Sequence, residues 1–222
     1  MATYLEQSVQ KLREFEGSVP WMYLDTVGKV TVGVGLMLPN AMAAEGLGFL
    51  LNGKSATPGE IAAEFARVTA MPKGRSAAFY RKPAGLELPE PVIESKLKET
   101  LLGFESHLRA RLPEYDGLPD RAKLALLDMA YNLGPAKLFS EYTNLLGAIA
   151  KGDWAGAAEH CSRRGPAPTR NSWTRDQFLE SVGQVIKAEA EDAISLLQWS
   201  LVLAGAAATA VAVWVLARDK TR

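Results

Sequence analysis

The 222-residue chain has few of the residues that would indicate a disulfide framework, a zinc site or a nucleic-acid binder. Its single cysteine, Cys161, excludes an intrachain disulfide, and its two histidines, His107 and His160, lie far apart and are expected on helix surfaces. Lys and Arg together number 25, as do Asp and Glu, so no net charge attracts nucleic acid. We therefore predict no metal, no cofactor and no nucleic-acid partner.

The N-terminal segment lacks the apolar run of a secretory signal peptide, so no such signal is predicted. It contains a helix pattern instead. Thr3 and Glu6 have the spacing of a capping box, and Gly17 is suited to a helix C-cap. Between them the apolar residues Leu5, Val9, Leu12 and Phe15 recur at helical spacing. Glu16 is therefore predicted to occupy the last turn of a helix whose apolar face is buried.

The stretch 19–35 alternates β-branched residues and glycines, which predicts a small β-hairpin with Gly28 in its turn. Asp25 falls in this turn, and Thr31 falls in the second strand. Each candidate has an ordinary structural interpretation. Glu16 would then be a solvated helix-end residue, Asp25 a turn cap and Thr31 a strand residue.

Taken together, the carboxylates of Glu16 and Asp25 suggest an acid–base pair for hydrolysis. Hydrolysis of a glycosidic bond requires one carboxylic acid to protonate the leaving oxygen and one carboxylate to activate water or attack carbon. A helix end followed by a turn and a hairpin can place two such groups across a cleft. Their environments must differ, because one group has to stay protonated while the other is ionised.

The spacing of these residues is specific. Eight residues separate Glu16 from Asp25, five separate Asp25 from Thr31, and the run 31–35 is Thr-Val-Gly-Val-Gly. This pattern resembles glycoside hydrolase family 24, the phage lysozymes of the T-even type. Later segments extend the resemblance over roughly residues 3–40 and 90–185: Arg121–Met129, Asn132–Gly134, Asn144–Leu145, Trp154 with Ala157–Ala158, and Arg170–Asn171.

The resemblance implies an α+β, mostly α, lysozyme-like fold over residues 1–192, with a β-hairpin N-lobe, a long connecting helix and a helical C-lobe. It also implies a muramidase that cuts the β-1,4 bond between N-acetylmuramic acid and N-acetylglucosamine. The resemblance further implies an inverting mechanism. Glu16 would be the general acid, and Asp25 with Thr31 would position and activate water. The partner would be the glycan strands of peptidoglycan.

Two features depart from the family pattern. Leu36 stands where the T-even type usually has a histidine with a chiefly structural role. Residues 41–88 have no counterpart in compact family members, although a capping-box signal at Thr57–Glu60 predicts a helix there. Four basic residues around two aromatic ones follow within 73–83. Three interpretations of this segment are open: a lid, an added glycan-binding surface, or a solvated loop with its aromatic rings in the core.

The remainder of the domain is predicted to be helical. A helix between Pro89 and Pro113 is indicated by the apolar residues Ile93, Leu97, Leu101, Phe104 and Leu108. Others are predicted from Leu118–Asp120 to Gly134 and at about 138–150, 153–163 and 172–192. The prolines of 165–168 predict a break. Arg170 and Asn171 follow it, and either approach the cleft or have a structural role.

Residues 193–217 form a 25-residue stretch without a charge. As a helix it would be about 37 Å long, enough to cross a hydrocarbon core of roughly 30 Å. Trp199 and Trp214 lie near its ends, and the tail 218–222 is basic. We predict a transmembrane helix, with a buried or oligomerising C-terminal helix as the alternative. The charge bias places the tail in the cytoplasm and the enzyme domain on the periplasmic or cell-wall side.

Several biological roles fit these features. The chain is interpreted first as a phage endolysin, in the host cytoplasm before release if it is not anchored, and otherwise as a virion-associated lysozyme or an antibacterial effector. A non-catalytic peptidoglycan-binding or structural protein with a lysozyme fold is the alternative from another class. A glycanase acting on chitin-like polymers would need the same carboxylates. The sequence leaves the oligomeric state open.

Overall fold

The computed structural model describes residues 2–192. The predicted transmembrane helix at 193–217 and the basic tail at 218–222 lie outside the described residues. Within residues 2–192, no helix combines the length and the apolar character that crossing a bilayer requires.

The described part of the chain is mostly helical with two small antiparallel sheets, which confirms the predicted α+β, mostly α class. The helices are α1 (Tyr4–Glu16), α2 (Ala41–Glu45), α3 (Pro58–Thr69), α4 (Ala77–Tyr80), α5 (Glu90–Arg111), α6 (Asp120–Leu133), α7 (Pro135–Glu141), α8 (Thr143–Ile149), α9 (Trp154–His160) and α10 (168–192 as described). The strands are β1 (Val19–Leu24), β2 (Val30–Gly33), β3 (Leu36–Met37), β4 (Leu50–Leu51), β5 (Lys54–Ser55) and β6 (Leu86–Glu87).

Helix α1 begins and ends as its sequence predicts. The Thr3 hydroxyl accepts from the Glu6 amide, while the Glu6 carboxylate accepts from the Thr3 amide, so the capping box is complete. At the other end Gly17 adopts φ 75°, a conformation that L side chains rarely take. The chain therefore turns sharply immediately after Glu16.

The first sheet is the predicted hairpin with one short added strand, in the order β1-β2-β3. Tyr23 lies opposite Thr31, and Thr31 lies opposite Met37, so these three residues form one row across the sheet. Leu36, at the position of the missing family histidine, is half-buried in β3 against the core.

The 41–88 insertion is a folded layer on this hairpin. Helix α3 has the predicted capping box at Thr57, and the second sheet has the order β5-β4-β6. The sequence left open where the two aromatic residues of segment 73–83 lie. Tyr80 is fully buried, whereas Phe79 is 46% exposed. Neither the loop nor the surface interpretation therefore describes the whole segment.

Helix α5 is the predicted long helix, and its buried face contacts α1, α6 and α7. Helix α6 is the most deeply buried element, with nine of its residues buried from Ala122 to Ala130. Among them are Lys123 and Asp128, whose charges require partners inside the protein.

The structure corrects three helix boundaries. The single helix predicted at 138–150 is two helices, because Tyr142 leaves the helical region at φ −109°, ψ 41° with its ring packed against the core. Helix α9 ends at His160 rather than at 163. Helix α10 begins at Pro168 rather than at 172, since proline at a first helical position needs no hydrogen-bond partner for its nitrogen.

Candidate active site

Glu16 is held at the end of α1 by an arginine from the far end of the domain. The Nη1 of Arg170, in the first turn of α10, donates to the Oε1 of Glu16 at 2.6 Å. The Glu16 side chain remains 34% exposed, whereas that of Arg170 is almost fully covered. One face of this carboxylate is therefore fixed by the protein, and the other is open to solvent.

Asp128, on the buried helix α6, orients Arg170. Its Oδ1 accepts from the Nε of Arg170 at 2.8 Å, and its Oδ2 accepts from the Nη2 of Arg163 at 2.7 Å. The Thr174 hydroxyl also contacts Oδ2, at 2.8 Å. Both carboxylate oxygens are thus satisfied by charged or hydroxyl donors, as a buried carboxylate requires.

Arg163 and Asn171 close this network. Asn171 donates from Nδ2 to the carbonyl oxygen of Arg163 at 2.8 Å, and its Oδ1 accepts from the backbone and side chain of Arg163 at 3.3 Å. The link joins the segment after α9 to the first turn of α10. Asn171, which the sequence left between a cleft role and a structural one, serves structure here.

The network of Glu16, Asp128, Arg163 and Arg170 contains two negative and two positive charges. Burial alone would lower the pKa of Arg170, but the charge of Asp128 and the hydrogen bonds to Glu16 and Asp128 outweigh burial and raise it. Arg170 therefore remains charged. Its Nη2 is buried without a hydrogen-bond acceptor among the described residues.

Asp25 occupies the predicted turn and caps it. Its Oδ1 accepts from the amides of Val27 at 2.9 Å and Lys29 at 2.8 Å. The other oxygen, Oδ2, accepts no hydrogen bond from the described part of the protein. The structural and chemical interpretations of Asp25 are therefore compatible, because one oxygen holds the turn and the other is available.

Thr31 is less available than the sequence suggested. It is 3% exposed, and its hydroxyl donates to the Lys29 carbonyl oxygen at 3.1 Å. No hydrogen bond joins Thr31 to Asp25 within residues 2–192. Its remaining capacity is as an acceptor, since the hydroxyl proton is already used.

The pKa values of two tyrosines that the sequence did not single out are raised by burial and in part by the charge of Glu16. Burial raises the pKa of Tyr23, and the negative charges of Asp25 and Glu16 raise it further. Tyr131 donates to the Val34 carbonyl oxygen at 2.5 Å, and its pKa is raised by burial and then by the charge of Glu16. The raised pKa of Tyr23 therefore has contributions from both candidate carboxylates.

The structure thus brings Glu16 together with Arg170, and places Asp25 in the turn at the other end of β1. Asp128 and Arg163 were not expected at this site. The signal for Asp128 was present, because an isolated aspartate in an apolar helical run needs a buried cationic partner. Within residues 2–192, no group of three His, Cys, Asp or Glu side chains is placed to hold a metal ion.

The chain matches no protein-family profile and no protein of curated function. Among solved structures it is similar to the crystal structure of the P22 lysozyme mutant L86M, at 19% sequence identity and a TM-score of 0.48. The match covers 81% of this chain and 99% of the other. A likeness this distant assigns no activity, so what the site can do has to follow from its own residues.

Proposed function

We propose that the protein is a muramidase that hydrolyses the β-1,4 bond between N-acetylmuramic acid and N-acetylglucosamine in peptidoglycan. The observation that carries the proposal is the placement of two carboxylates on either side of β1: Glu16 ends the helix before this strand, and Asp25 lies in the turn that follows it. Each has one oxygen bound by the protein and one side left for a substrate. The family spacing of Glu16, Asp25 and Thr31 supplies the substrate class.

Glu16 is the general acid in this proposal. Arg170 is a positioning residue, because it fixes the orientation of the Glu16 carboxylate and does not itself exchange a proton. Its second bond, to Asp128, is independent of the charge on Glu16. The arginine therefore stays in place when Glu16 carries the proton that the leaving oxygen requires.

Asp25 activates water on the opposite face of the sugar. The turn amides that bind Oδ1 hold the carboxylate oriented, while Oδ2 accepts a proton from water. Thr31 assists only as an acceptor for the same water, because its hydroxyl already donates its proton in a hydrogen bond to the Lys29 carbonyl oxygen. Attack from this face inverts the anomeric centre, a mechanism that requires roughly 6.5–9.5 Å between the two carboxyl groups.

The test uses the full chain on purified peptidoglycan sacculi, with Glu16→Gln as the variant. The wild type should release muropeptides with muramic acid at the reducing end, and the Glu16→Gln protein should release none. Glu14→Gln is the matched control, because Glu14 lies in the same helix and, among residues 2–192, forms a salt bridge only with Lys11 at the surface. Anhydro-muramic ends would identify a lytic transglycosylase, and full activity of Glu16→Gln would exclude Glu16 as the acid.

A non-catalytic wall-binding protein is the second candidate. The ion pair between Glu16 and Arg170 favours it, because a carboxylate held at 2.6 Å by a buried guanidinium is also what a purely structural salt bridge provides. Sedimentation of the wild type with sacculi, without release of reducing ends under any condition, would support this candidate over the first.

For the biological role we propose a phage endolysin or a related bacteriolytic enzyme, associated with a membrane through residues 193–217. The enzyme domain would then lie on the periplasmic or cell-wall side. Flotation of the full chain with liposomes, compared with a chain ending before Ala193, tests the association. Equal behaviour of the two proteins would remove the membrane from the proposal.

A further inference from the structure

The insertion carries a positively charged surface with exposed aromatic rings, next to the candidate site. Its segment 72–85 contains four basic residues and no acidic one, although the chain as a whole has no net charge. We define the basic–aromatic surface as the following exposed or half-buried residues: Trp21, Lys73, Arg75, Phe79, Arg81 and Lys82.

This surface is rigid because its supports are buried. The hydroxyl of the fully buried Tyr80 donates to the Pro72 carbonyl oxygen at 2.8 Å, and Arg67 donates to the Tyr80 carbonyl oxygen at 2.6 Å. Arg67 is itself fixed by the buried Glu64. The two ends of the segment 72–80 are therefore joined to each other, and Arg67 holds the Tyr80 end on α3, so little conformational freedom remains to be lost on binding.

The cations are arranged on aromatic rings. The guanidinium of Arg81 lies 4.6 Å from the centre of the Trp21 ring, and that of Arg75 lies 5.5 Å from the centre of the Phe79 ring. A stacked guanidinium keeps its edge N–H groups free and fixed in plane, which suits bidentate binding of a carboxylate. Within residues 2–192, Arg81 is the one of the four basic residues with an ion-pair partner, Glu87 at 3.3 Å.

The surface continues the candidate cleft along β1. Trp21 and Tyr23 are half-buried and alternate along β1 with the buried Met22 and Leu24. At the hairpin turn, a methyl group placed on Gly28 would lie 3.5 Å from the Lys73 side chain. Lys73 therefore contacts the turn that Asp25 caps.

We propose that the basic–aromatic surface binds the peptide carboxylates of the peptidoglycan strand that occupies the cleft. This inference rests on the proposed function, since that function supplies the strand. The muramic acid units carry peptides, and their carboxylates are the negative charges that such a strand presents beside the scissile bond. The surface has only a small number of cations, and the protein around it is neutral overall. Such a surface is better suited to sparse carboxylates than to the dense phosphates of a nucleic acid.

The experiment measures binding of the full chain carrying Glu16→Gln, so that the strand is not cut. The probes are soluble glycan strands with their peptides, and the same strands after their carboxylates are converted to amides with a carbodiimide and ammonia. The test variant adds Lys73→Gln and Arg75→Gln, two exposed positions outside the core. The control adds Arg175→Gln and Lys187→Gln, which remove the same charge from α10, where both side chains are exposed.

The parent protein and the control should bind the charged strands at least about 10-fold more tightly than the amidated ones. This factor is the one expected when amidation removes a charged hydrogen bond. The test variant should bind both probes equally. Unchanged discrimination by the test variant would overturn the proposal, and so would an equal loss on both probes, which would indicate recognition of sugar alone. A DNA oligonucleotide of equal charge that binds as tightly as the peptide-bearing strands would overturn the carboxylate assignment.

The outcome is separable from that of the proposed function. If the wild type releases no reducing ends but the test variant loses discrimination, the muramidase proposal fails and the basic–aromatic surface stands. If the wild type cuts sacculi and the test variant discriminates normally, the reverse holds.

Discussion

The Nη1 of Arg170 donates to the Oε1 of Glu16 at 2.6 Å across 154 positions of the chain. The bond joins the last residue of the first helix to the first turn of the last described helix. Because the same guanidinium donates to Asp128 through Nε, the direction in which Glu16 points is set from the core. The orientation of the proposed acid is therefore a property of the whole domain rather than of its N-terminal segment.

Arg170→Lys should lower both activity and stability. An ammonium group is a point donor and cannot reach Glu16 and Asp128 in the fixed geometry of a guanidinium. We expect kcat/KM on peptidoglycan to fall at least about 10-fold, with a loss of about 1–3 kcal/mol in the free energy of unfolding. Arg175→Lys is the control, since Arg175 is exposed on the same helix. Wild-type kinetics of Arg170→Lys would show that Glu16 needs no positioning.

Asp128→Asn should destabilise the fold strongly. The substitution removes the carboxylate to which Arg163 and Arg170 both donate, and leaves two buried guanidinium groups with one negative charge fewer. Breaking a buried pair in this way costs about 3–5 kcal/mol, which urea unfolding measures. Asp176→Asn, at an exposed position, should change stability by less than about 0.5 kcal/mol. Equal midpoints for the two variants would contradict the assignment.

Two substitutions at Asp25 separate its structural and chemical roles. Asp25→Asn keeps an oxygen that accepts from the Val27 and Lys29 amides, so stability should change by less than about 1 kcal/mol while activity is lost. Asp25→Ala loses the hydrogen bonds to both amides as well as the activity, so it should also destabilise the turn by about 1–2 kcal/mol. Thermal unfolding and release of reducing ends are measured together. Full activity of a stable Asp25→Asn protein would leave Asp25 as a turn cap only.

Sequence reasoning identified local features better than distant ones. The caps of α1 and α3, the hairpin turn and the long α5 all depend on neighbours within a few residues, and all were found. The break at Tyr142 was missed because neither glycine nor proline marks it. Glu105 was missed because it lies on the apolar face of α5, four residues after Leu101, and is buried with partners from other elements.

Glu105 accepts hydrogen bonds from the hydroxyls of Tyr4 and Tyr115, and this contact gives a prediction for the pH dependence of stability. Burial, together with the hydrogen bond to Glu105 and the charge of Glu105, raises the pKa of Tyr4 from 10.0 to about 12. Because the unfolded chain releases this proton first, Tyr4 contributes stability that is complete below pH 10 and is lost as the pH rises from 10 towards 12. Tyr4→Phe should make the alkaline loss of stability shallower, as measured by urea unfolding at a series of pH values. An unchanged slope would show that Tyr4 does not contribute.

The candidate site was predicted only in part for the same physical reason. Glu16, Asp25 and Thr31 could be proposed from sequence because their spacing is a local pattern, and their catalytic roles stay a prediction. Asp128 and Arg163 belong to the site through contacts between α6, the segment after α9 and α10, which no local pattern reports. The surface of the insertion was left open, because spacing alone does not tell that Tyr80 is buried while Phe79 is exposed.

The ion pair between Glu16 and Arg170 has a consequence for biosynthesis. A ribosome that adds roughly 5–20 residues per second needs roughly 8–30 s to pass from codon 16 to codon 170. During that interval the nascent chain already carries the proposed acid but lacks the arginine that orients it. A translation product that stops short of α10 therefore has an unfinished site, so catalysis is coupled to completion of the domain.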